Sequence, residues 1–360
     1  MPDLLQSFSL KNGRVAPNRV ALAAMTNRQS HADGTLSEDE LVWLARRAEG
    51  GFGIITTCAS HVSKDGQGWS GELGCCDDSH VDGLRRIADV CRRHAALSIL
   101  QIFHGGIRAD ETVSGAQPWS ASEEGDRVRA GTAEDLARVI RQFGDAAERA
   151  QRAGMDGVEI HGAHGYLLTQ FLSRTQNRRA DAWGGPIGNR ARLAREVTKT
   201  VRARVAGSFI VGIRISPEDA GNAEGLDLDE SLLVAAWLAE DGADFIHVSL
   251  PDANKQSDKR PEHKTLALFR AAVPADVALL TAGKIWTKAD GEAALAHGAS
   301  AIALGRSAIA NPDWPKLVAG RDEVPRMPPL SAEELRARAL SPGFVEYMRS
   351  WRGFVSPAQS

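Results

Sequence analysis

Apolar runs of strand length recur along the chain, separated by amphipathic segments, and this alternation organises the whole sequence. Val20–Met25, Gly53–Thr57, Leu97–Phe103, Val158–Ile160, Phe209–Ser216, Phe245–Leu250, Ala278–Gly283 and Ala301–Arg306 are almost uniformly apolar rather than alternating. Such runs are expected of parallel strands covered on both faces. Between them lie helical patterns. Ser37 to Glu40 reads as a capping box opening a helix through Glu49, with Leu41, Leu44, Ala45 and Ala48 on one face and Gly50-Gly51 stopping it. Val81–His94 is a second helix, and Thr132 with Asp135 caps a third that runs through Ala153. Asn189–Val205, Leu228–Asp241, Thr265–Val273 and Lys288–His297 supply the next four.

Repeated strand–helix units of this kind predict an α/β fold, a closed (β/α)8 TIM barrel rather than an open doubly wound sheet. Two segments stand outside the repeat. His104–Gly131 is a long polar excursion between the third strand and the third helix, expected to cap the barrel mouth. Ser331–Phe354 forms a C-terminal helical tail, in which Phe344, Tyr347, Met348, Trp351 and Phe354 make an apolar stripe. No Pro/Ser-rich linker, low-complexity stretch or solenoid period divides the chain. One domain over 1–360 is expected, with the barrel at about 18–320 and the tail at 321–360.

Composition narrows the function classes. A chain of 360 residues that is 43% hydrophobic has ample material for a large core. A net charge of −3 and the lack of a basic run argue against a nucleic-acid partner. Met1-Pro-Asp-Leu-Leu-Gln lacks a charged region followed by an apolar stretch, and no run is long enough to span a bilayer, so a cytoplasmic location is expected. Cys58, Cys75, Cys76 and Cys91 show no Cys-x-x-Cys spacing. Free, mostly buried thiols in a reducing compartment are expected, with neither a zinc ribbon nor a cysteine-ligated cluster and no metal.

A barrel places its chemistry at the C-terminal ends of its strands. Those ends carry Met25/Thr26, Cys58/Ala59, Gln101, His161/His164/Tyr166, Arg214, Ser249, Gly283/Lys284 and Gly305/Arg306. The fourth is the densest. Within Gly154–Ser173 a short apolar run turns at once into a glycine-punctuated loop bearing two histidines and one of the chain's two tyrosines. His161 and His164 offer neutral N–H donors to an oxygen that gains negative charge. Tyr166 offers a phenolic proton nearby. Either histidine alone would read as a strand end bonded to backbone; the three together read as an active-site rim. Gly283 and Gly305-Arg306 follow the seventh and eighth strands, where barrels bind phosphate. The Gln101 amide suits the edge of a heterocycle carrying donors and acceptors.

In order and spacing these motifs resemble the old yellow enzyme family of FMN-dependent NAD(P)H oxidoreductases and ene-reductases. The likeness runs from Asn18-Arg-Val-Ala-Leu-Ala-Ala-Met-Thr26 to Asn311-Pro312. It rests above all on Glu159-Ile-His-Gly-Ala-His-Gly-Tyr-Leu-Leu-Thr-Gln-Phe-Leu-Ser173, on Asn177-Arg-Arg-Ala-Asp-Ala-Trp-Gly-Gly185 with Asn189-Arg190, and on Val211–Ser216 and the Gly305-Arg306 turn. The resemblance implies that Ala24, Met25 and Thr26 lie along the flavin, with Thr26 near its O4 and N5. Ala59 would meet the ring through its backbone, and Gln101 would bond the pyrimidine edge. Arg214 would lie near N1/O2, and Gly283, Lys284, Gly305 and Arg306 would hold the phosphate.

The same resemblance makes His161 and His164 the pair that grips a substrate carbonyl, and Tyr166 the proton donor to the α-carbon after hydride transfer from flavin N5. NAD(P)H would use the same pocket as co-substrate, which removes the need for a Gly-x-Gly-x-x-Gly motif. The implied substrate is a small enone or enal, with no nucleic-acid or membrane partner. A homodimer or higher homo-oligomer is also implied, since related proteins use the C-terminus in dimer contacts; a tail stripe of this kind otherwise packs on its own chain.

The chain departs from the family at Asn27-Arg28, where an aromatic residue is common, and at Trp183, where tyrosine is usual; both bear on pocket shape. Phe103-His104-Gly-Gly106 resembles a loop over the flavin, while His104 reads equally as a solvated loop histidine. Arg28 reads as a surface charge or a pocket group. Members with an iron–sulfur cluster and a second domain are set aside by length and cysteine spacing. Two other classes stay open on the residues. One is a flavin-free barrel lyase or isomerase for a phosphorylated substrate, which would need a catalytic lysine or carboxylate inside the barrel, with Lys284 the only evident candidate. The other is a non-catalytic flavin-binding protein.

Overall fold

The computed structural model describes residues 3–218, 225–320 and 324–357. Its centre is a closed barrel of β1 (Val20–Leu22), β2 (Ile54–His61), β3 (Leu97–Phe103), β4 (Gly157–Gly162), β5 (Ile210–Ile215), β6 (Phe245–Ser249), β7 (Ala278–Ala282) and β8 (Ala301–Leu304). Every neighbouring pair is parallel and sequential, with β8 closing onto β1. Helices Glu38–Glu49, Val81–Arg93, Ala133–Arg152, Arg192–Arg204, Leu228–Glu240, Thr265–Ala272 and Lys288–Ala296 form the outer layer. The boundary expected between barrel and tail, 320/321, falls beside residues 321–323, which lie outside the described residues.

Both faces of each strand are buried, which is why the strands read as apolar runs rather than as alternation. Ala21, Ile54, Leu97, Ile99, Ile210, Phe245, Ala278, Leu280 and Ala301 point into the lumen. Phe8, Leu10 and Ala16 belong to the same cluster; the first and last sit on a short antiparallel hairpin, Phe8–Ser9 with Val15–Ala16. This hairpin, which periodicity did not reveal, stops the end of the barrel opposite the site. Gly212 gives the Phe245 ring its space in the lumen: a Cβ at that position would lie 2.0 Å from Phe245 Cζ. The alternate residues, Val20, Leu22, Ile55, Leu100, Val158, Val211 and Ile246 among them, pack outward against the helices.

Three local departures from expectation matter for the site. The first strand ends at Leu22: after a last bond from Ala23 N–H to Leu304 O at 3.0 Å, Ala24–Thr26 leave the ladder to run along the barrel mouth. Second, the Ser37–Glu40 capping box is half made. Ser37 accepts from the Glu40 N–H, but the Glu40 carboxylate turns inward to Asn27 (3.1 Å), Cys58 (2.9 Å) and Ser30. A buried polar cluster therefore takes the side chain that the cap would have used. The Thr132–Asp135 box forms in full.

Third, the 104–131 excursion does not cover the mouth. It packs beside it, with Trp119 bonded to Asp65 and Ser120 to Gln170. The cover comes instead from the tail, whose helices are Ala332–Ala337 and Pro342–Arg349. Phe344, Met348 and Phe354 are buried against the protein's own core, and Trp43 meets Phe344 edge to face at 5.0 Å. All four cysteines are free thiols; Cys58, Cys75 and Cys91 are buried, and Cys76 is half-buried. No helix among the described residues is long and apolar enough to cross a membrane.

Candidate active site

At the carboxyl ends of the strands a cavity of about 480 Å3 opens, within the range of small-molecule and cofactor sites. Its walls include Ala24, Met25, Thr26, Ala59, Gln101, His161, His164, Tyr166, Arg214, Gly283, Lys284, Gly305 and Arg306. These residues, singled out along the sequence, are brought together here from seven strand ends, and Ser249 adds the eighth. Tyr347, Met348 and Trp351 of the tail line it as well.

Strand register explains the arrangement. Gln101 of β3 stands opposite Glu159 of β4, and Arg214 of β5 stands between His161 of β4 and His247 of β6. Side chains from adjacent registers therefore meet beneath the cavity. Glu159 Oε1 accepts from Gln101 Nε2 at 2.6 Å, and its Oε2 lies 2.7 Å from His247 Nδ1. Burial alone would raise the Glu159 pKa, but His247, Arg214 and Gln101 together hold it below the usual carboxylate range. Desolvation pushes His247 the other way, so the pair is a charged carboxylate with a neutral imidazole donor. Glu159 and His247 have no apolar-run signature, and Glu159 entered the sequence reading only inside a motif.

The loop after β4 carries the most reactive groups. Ala163 N–H donates to His161 Nδ1 at 3.3 Å, which leaves the neutral ring with its proton on Nε2. His161 lies 5.1 Å, centroid to centroid, from His164 and also from Tyr166. His164 has a left-handed backbone (φ 61°) followed by Gly165 at 72°, a turn that throws its imidazole across the mouth. His164 Nε2 is 2.7 Å from Ser249 Oγ, which in turn accepts from Arg214 Nη2 at 3.0 Å. Desolvation lowers the pKa of His161 well below the ordinary value, with His164 and Arg214 adding to it. His164 meets water in the cavity, yet desolvation and the Arg214 charge lower it in the same direction. Both rings are neutral at physiological pH. Burial raises Tyr166, keeping its phenol protonated. Phe103 meets the phenol ring edge-on at 5.1 Å, and the Arg108 guanidinium lies 5.3 Å from it.

The opposite wall has the character of an anion cradle. Gly283 has φ 147°, and a Cβ there would lie 2.4 Å from Leu250 O, so the position admits only glycine. Lys284 follows with φ 46°, and its side chain is exposed, as is that of Arg306. On the cavity floor Arg214 Nη1 donates to Ala24 O at 3.2 Å while its buried Nε has no partner. A large anionic heterocycle fits this set: an unpaired cationic donor below, amide and small residues along the edge, and a side-chain-free turn flanked by cations at one end.

Several residues lie elsewhere. His104 is buried, not solvated, and does not line the cavity: its Nδ1 accepts from Gly106 N–H at 3.0 Å and its ring packs on Trp119. Asn27 faces Glu40 rather than the pocket. Arg28 is exposed and stands 5.3 Å from the Tyr347 ring, at the rim. Trp183 stacks with Arg192 away from the cavity and does not shape it.

Fold and site define a (β/α)8 oxidoreductase whose chemistry sits at the carboxyl ends of its strands. The chain belongs to the NADH:flavin oxidoreductase / NADH oxidase family, whose model matches residues 3–323. It is 34% identical to a probable NADH-dependent flavin oxidoreductase of Bacillus subtilis, over 89% of each chain. An NADH:fumarate oxidoreductase of Klebsiella pneumoniae is 36% identical over 89% of this chain, which spans only 36% of that longer protein. Among solved structures, an old yellow enzyme homologue from Zymomonas mobilis superposes with a TM-score of 0.82 at 26% identity, covering 96% of this chain and 99% of that one. The protein is accordingly an FMN-dependent oxidoreductase with NAD(P)H as co-substrate.

Proposed function

We propose that this protein reduces the carbon–carbon double bond of small α,β-unsaturated carbonyl compounds. The observation that carries the reading is the pair of neutral imidazoles, His161 and His164, set beside a protonated Tyr166 in one cavity. FMN, when bound, supplies the hydride that NAD(P)H has delivered to it. Ala24, Met25, Thr26 and Ala59 would lie along its ring, Gln101 at its edge and Arg214 beneath it, with Gly283, Lys284, Gly305 and Arg306 at its phosphate.

The remaining work falls to the chain. His161, with its proton on Nε2, and His164, turning from Ser249, donate to the substrate oxygen. Their donation stabilises the negative charge that the oxygen gains as the β-carbon is reduced. Tyr166 gives its proton to the α-carbon, and the product is the saturated carbonyl compound. Phe103 and Arg108 hold the phenol in place. Tyr347, Met348 and Trp351 narrow the mouth. The substrate named for the Klebsiella relative, fumarate, is an α,β-unsaturated acid. Carboxyl-activated alkenes therefore fall within the proposed substrate class. Ketone- and acid-activated alkenes are separated by direct turnover assays.

Titration of the FMN-loaded protein with a para-substituted phenol tests the oxygen site. A long-wavelength charge-transfer band is expected, because a phenolate held by both imidazoles would stack on the flavin. His161→Ala should abolish that band and lower enone turnover on the order of 10²–10³ while FMN stays bound. Unchanged turnover in that variant overturns the assignment.

A further inference from the structure

Away from the cavity, His61, Cys76 and His80 converge. His61 is the last residue of β2; the other two lie in the loop that follows it. One ring nitrogen from each histidine and the Cys76 Sγ all lie within 4.8 Å of one another. We propose that these three side chains bind a transition-metal ion, Zn2+ foremost, as a structural clamp beside the active site.

His61 carries the argument furthest. It is fully buried, its Nδ1 lies 2.9 Å from Glu72 Oε1, and its Nε2 has no partner. With the Nδ1 proton shared with Glu72 Oε1, a bare lone pair is left on the unpartnered Nε2. A carboxylate on one nitrogen with the other free is how proteins orient a histidine toward a metal. His80 is 3% exposed and stands nearly perpendicular to His61, with ring centroids 6.1 Å apart. Its Nδ1 contacts Asp77 O at 3.2 Å and its Nε2 contacts Asp33 O at 3.3 Å. Both partners are acceptors, so a neutral ring sets one lone pair against an oxygen, and a metal relieves this by taking that lone pair.

Cys76 supplies the third ligand. It is half-buried, which leaves a route of entry, and its thiolate selects zinc-like ions over magnesium or calcium. Space is kept clear by Gly34, where a Cβ would lie 2.8 Å from His61 Cε1 and 3.0 Å from His80 Nε2. Zinc bonds of about 2.0–2.3 Å require the ligand atoms to draw together by about 1 Å. The Cys76 turn is placed to supply that movement. Asp77, with Oδ2 3.7 Å from Cys76 Sγ and Oδ1 3.4 Å from His80 Nδ1, or a water, completes a tetrahedron.

Such an ion would pin two connections together. Gly74 N–H already donates to Gly34 O at 2.8 Å, joining the loop after β2 to the loop after β1. The loop after β2 also carries Trp69, which packs on Phe103 at 5.6 Å, and Phe103 touches Tyr166. None of the three ligands lines the cavity, so the role is architectural rather than catalytic.

Cobalt serves as the probe, because its d–d bands lie to the red of oxidised flavin absorption. Chelator-treated, FMN-loaded, full-length protein titrated with Co2+ should develop intense tetrahedral bands and a thiolate charge-transfer band, saturating at one equivalent. Zn2+ should displace the cobalt and raise Tm by a few degrees. Cys76→Ser should remove the charge-transfer band and His61→Gln all binding, while the exposed-residue control His94→Gln keeps both signals. Glu72→Gln should weaken Co2+ binding about 10- to 100-fold. Cys76→Ser changes a half-exposed side chain, so its FMN content reports intact folding even if His61→Gln fails to fold. A wild-type protein that gives no tetrahedral bands, or a thiolate charge-transfer band that survives Cys76→Ser, overturns the proposal.

Discussion

Neutralising Glu159 tests whether the polar layer beneath the cavity works as a charged unit. Its side chain is 1% exposed and bonds Gln101 at 2.6 Å and His247 at 2.7 Å, with the buried Arg214 charge nearby. Glu159→Gln keeps the shape and removes the charge. Two charge-assisted hydrogen bonds of about 1.5–3 kcal/mol each become neutral ones of about 0.5–1.5 kcal/mol. Arg214 also loses its compensating charge. Breaking a buried pair outright costs about 3–5 kcal/mol; the amide oxygen can accept from only one of the two donors, and His247 has to move its proton to Nε2 to accept from the amide NH2, so the expected loss is about 2–4 kcal/mol. At about 2 °C per kcal/mol for a chain of this size, Tm should fall by roughly 4–8 °C. The folded-state pKa of Glu159 lies below its unfolded value, so its contribution is complete above that unfolded value and is lost as pH falls through the folded one. Thermal melts of the FMN-loaded pair at neutral pH and at about pH 4 should therefore show the gap shrinking in acid. A variant within about 1 °C of wild type at neutral pH, or a gap that does not change with pH, refutes the charged-unit account.

Gly283→Ala should yield protein with little bound FMN, since the new Cβ meets Leu250 O at 2.4 Å in a backbone conformation closed to alanine; a full flavin-to-protein ratio would show that the turn is not the phosphate cradle. His161 and His164 are held neutral, so kcat/KM for enone reduction should show no inflection near pH 6.5, and one that disappears in His164→Asn would contradict this. The same depressed values mean that the unfolded chain takes up protons first; stability is complete above about pH 6.5 and declines as pH falls toward the folded values. Truncation after Leu340 removes Tyr347, Met348 and Trp351 from the mouth and should raise the enone KM and speed FMN loss. An unchanged KM would remove the tail from the site, and light scattering on the same variant tests whether the tail also makes a homo-oligomer contact.

How much of this was legible in the sequence follows from the range of the interactions involved. Parallel strands buried on both faces have to be apolar at nearly every position, so the barrel was visible as eight runs. The strand-end residues were visible because a polar side chain that ends such a run is conspicuous. The Glu159–His247 contact joins β4 to β6 and skips β5, so it depends on strand register and lumen width, which no local pattern records. Glu40 kept a capping-box spacing, yet a buried cluster around Asn27 and Cys58 outcompeted the cap for its carboxylate. His104 ends an apolar run just as His161 follows the start of another. One lies under Trp119 and the other in the cavity only because the chain leaves β3 and β4 in different directions. The tail shows the same limit from the other side. Its apolar stripe was plain, and its buried half behaves as stripes usually do, packing on its own chain. Its half-exposed edge, Tyr347 and Trp351, has a place only because the cavity mouth lies beneath it. A stripe that is half core and half roof accounts for the absence of any excursion residue from the cavity: with the tail in position, the 104–131 segment is left to brace Tyr166 from the side through Arg108.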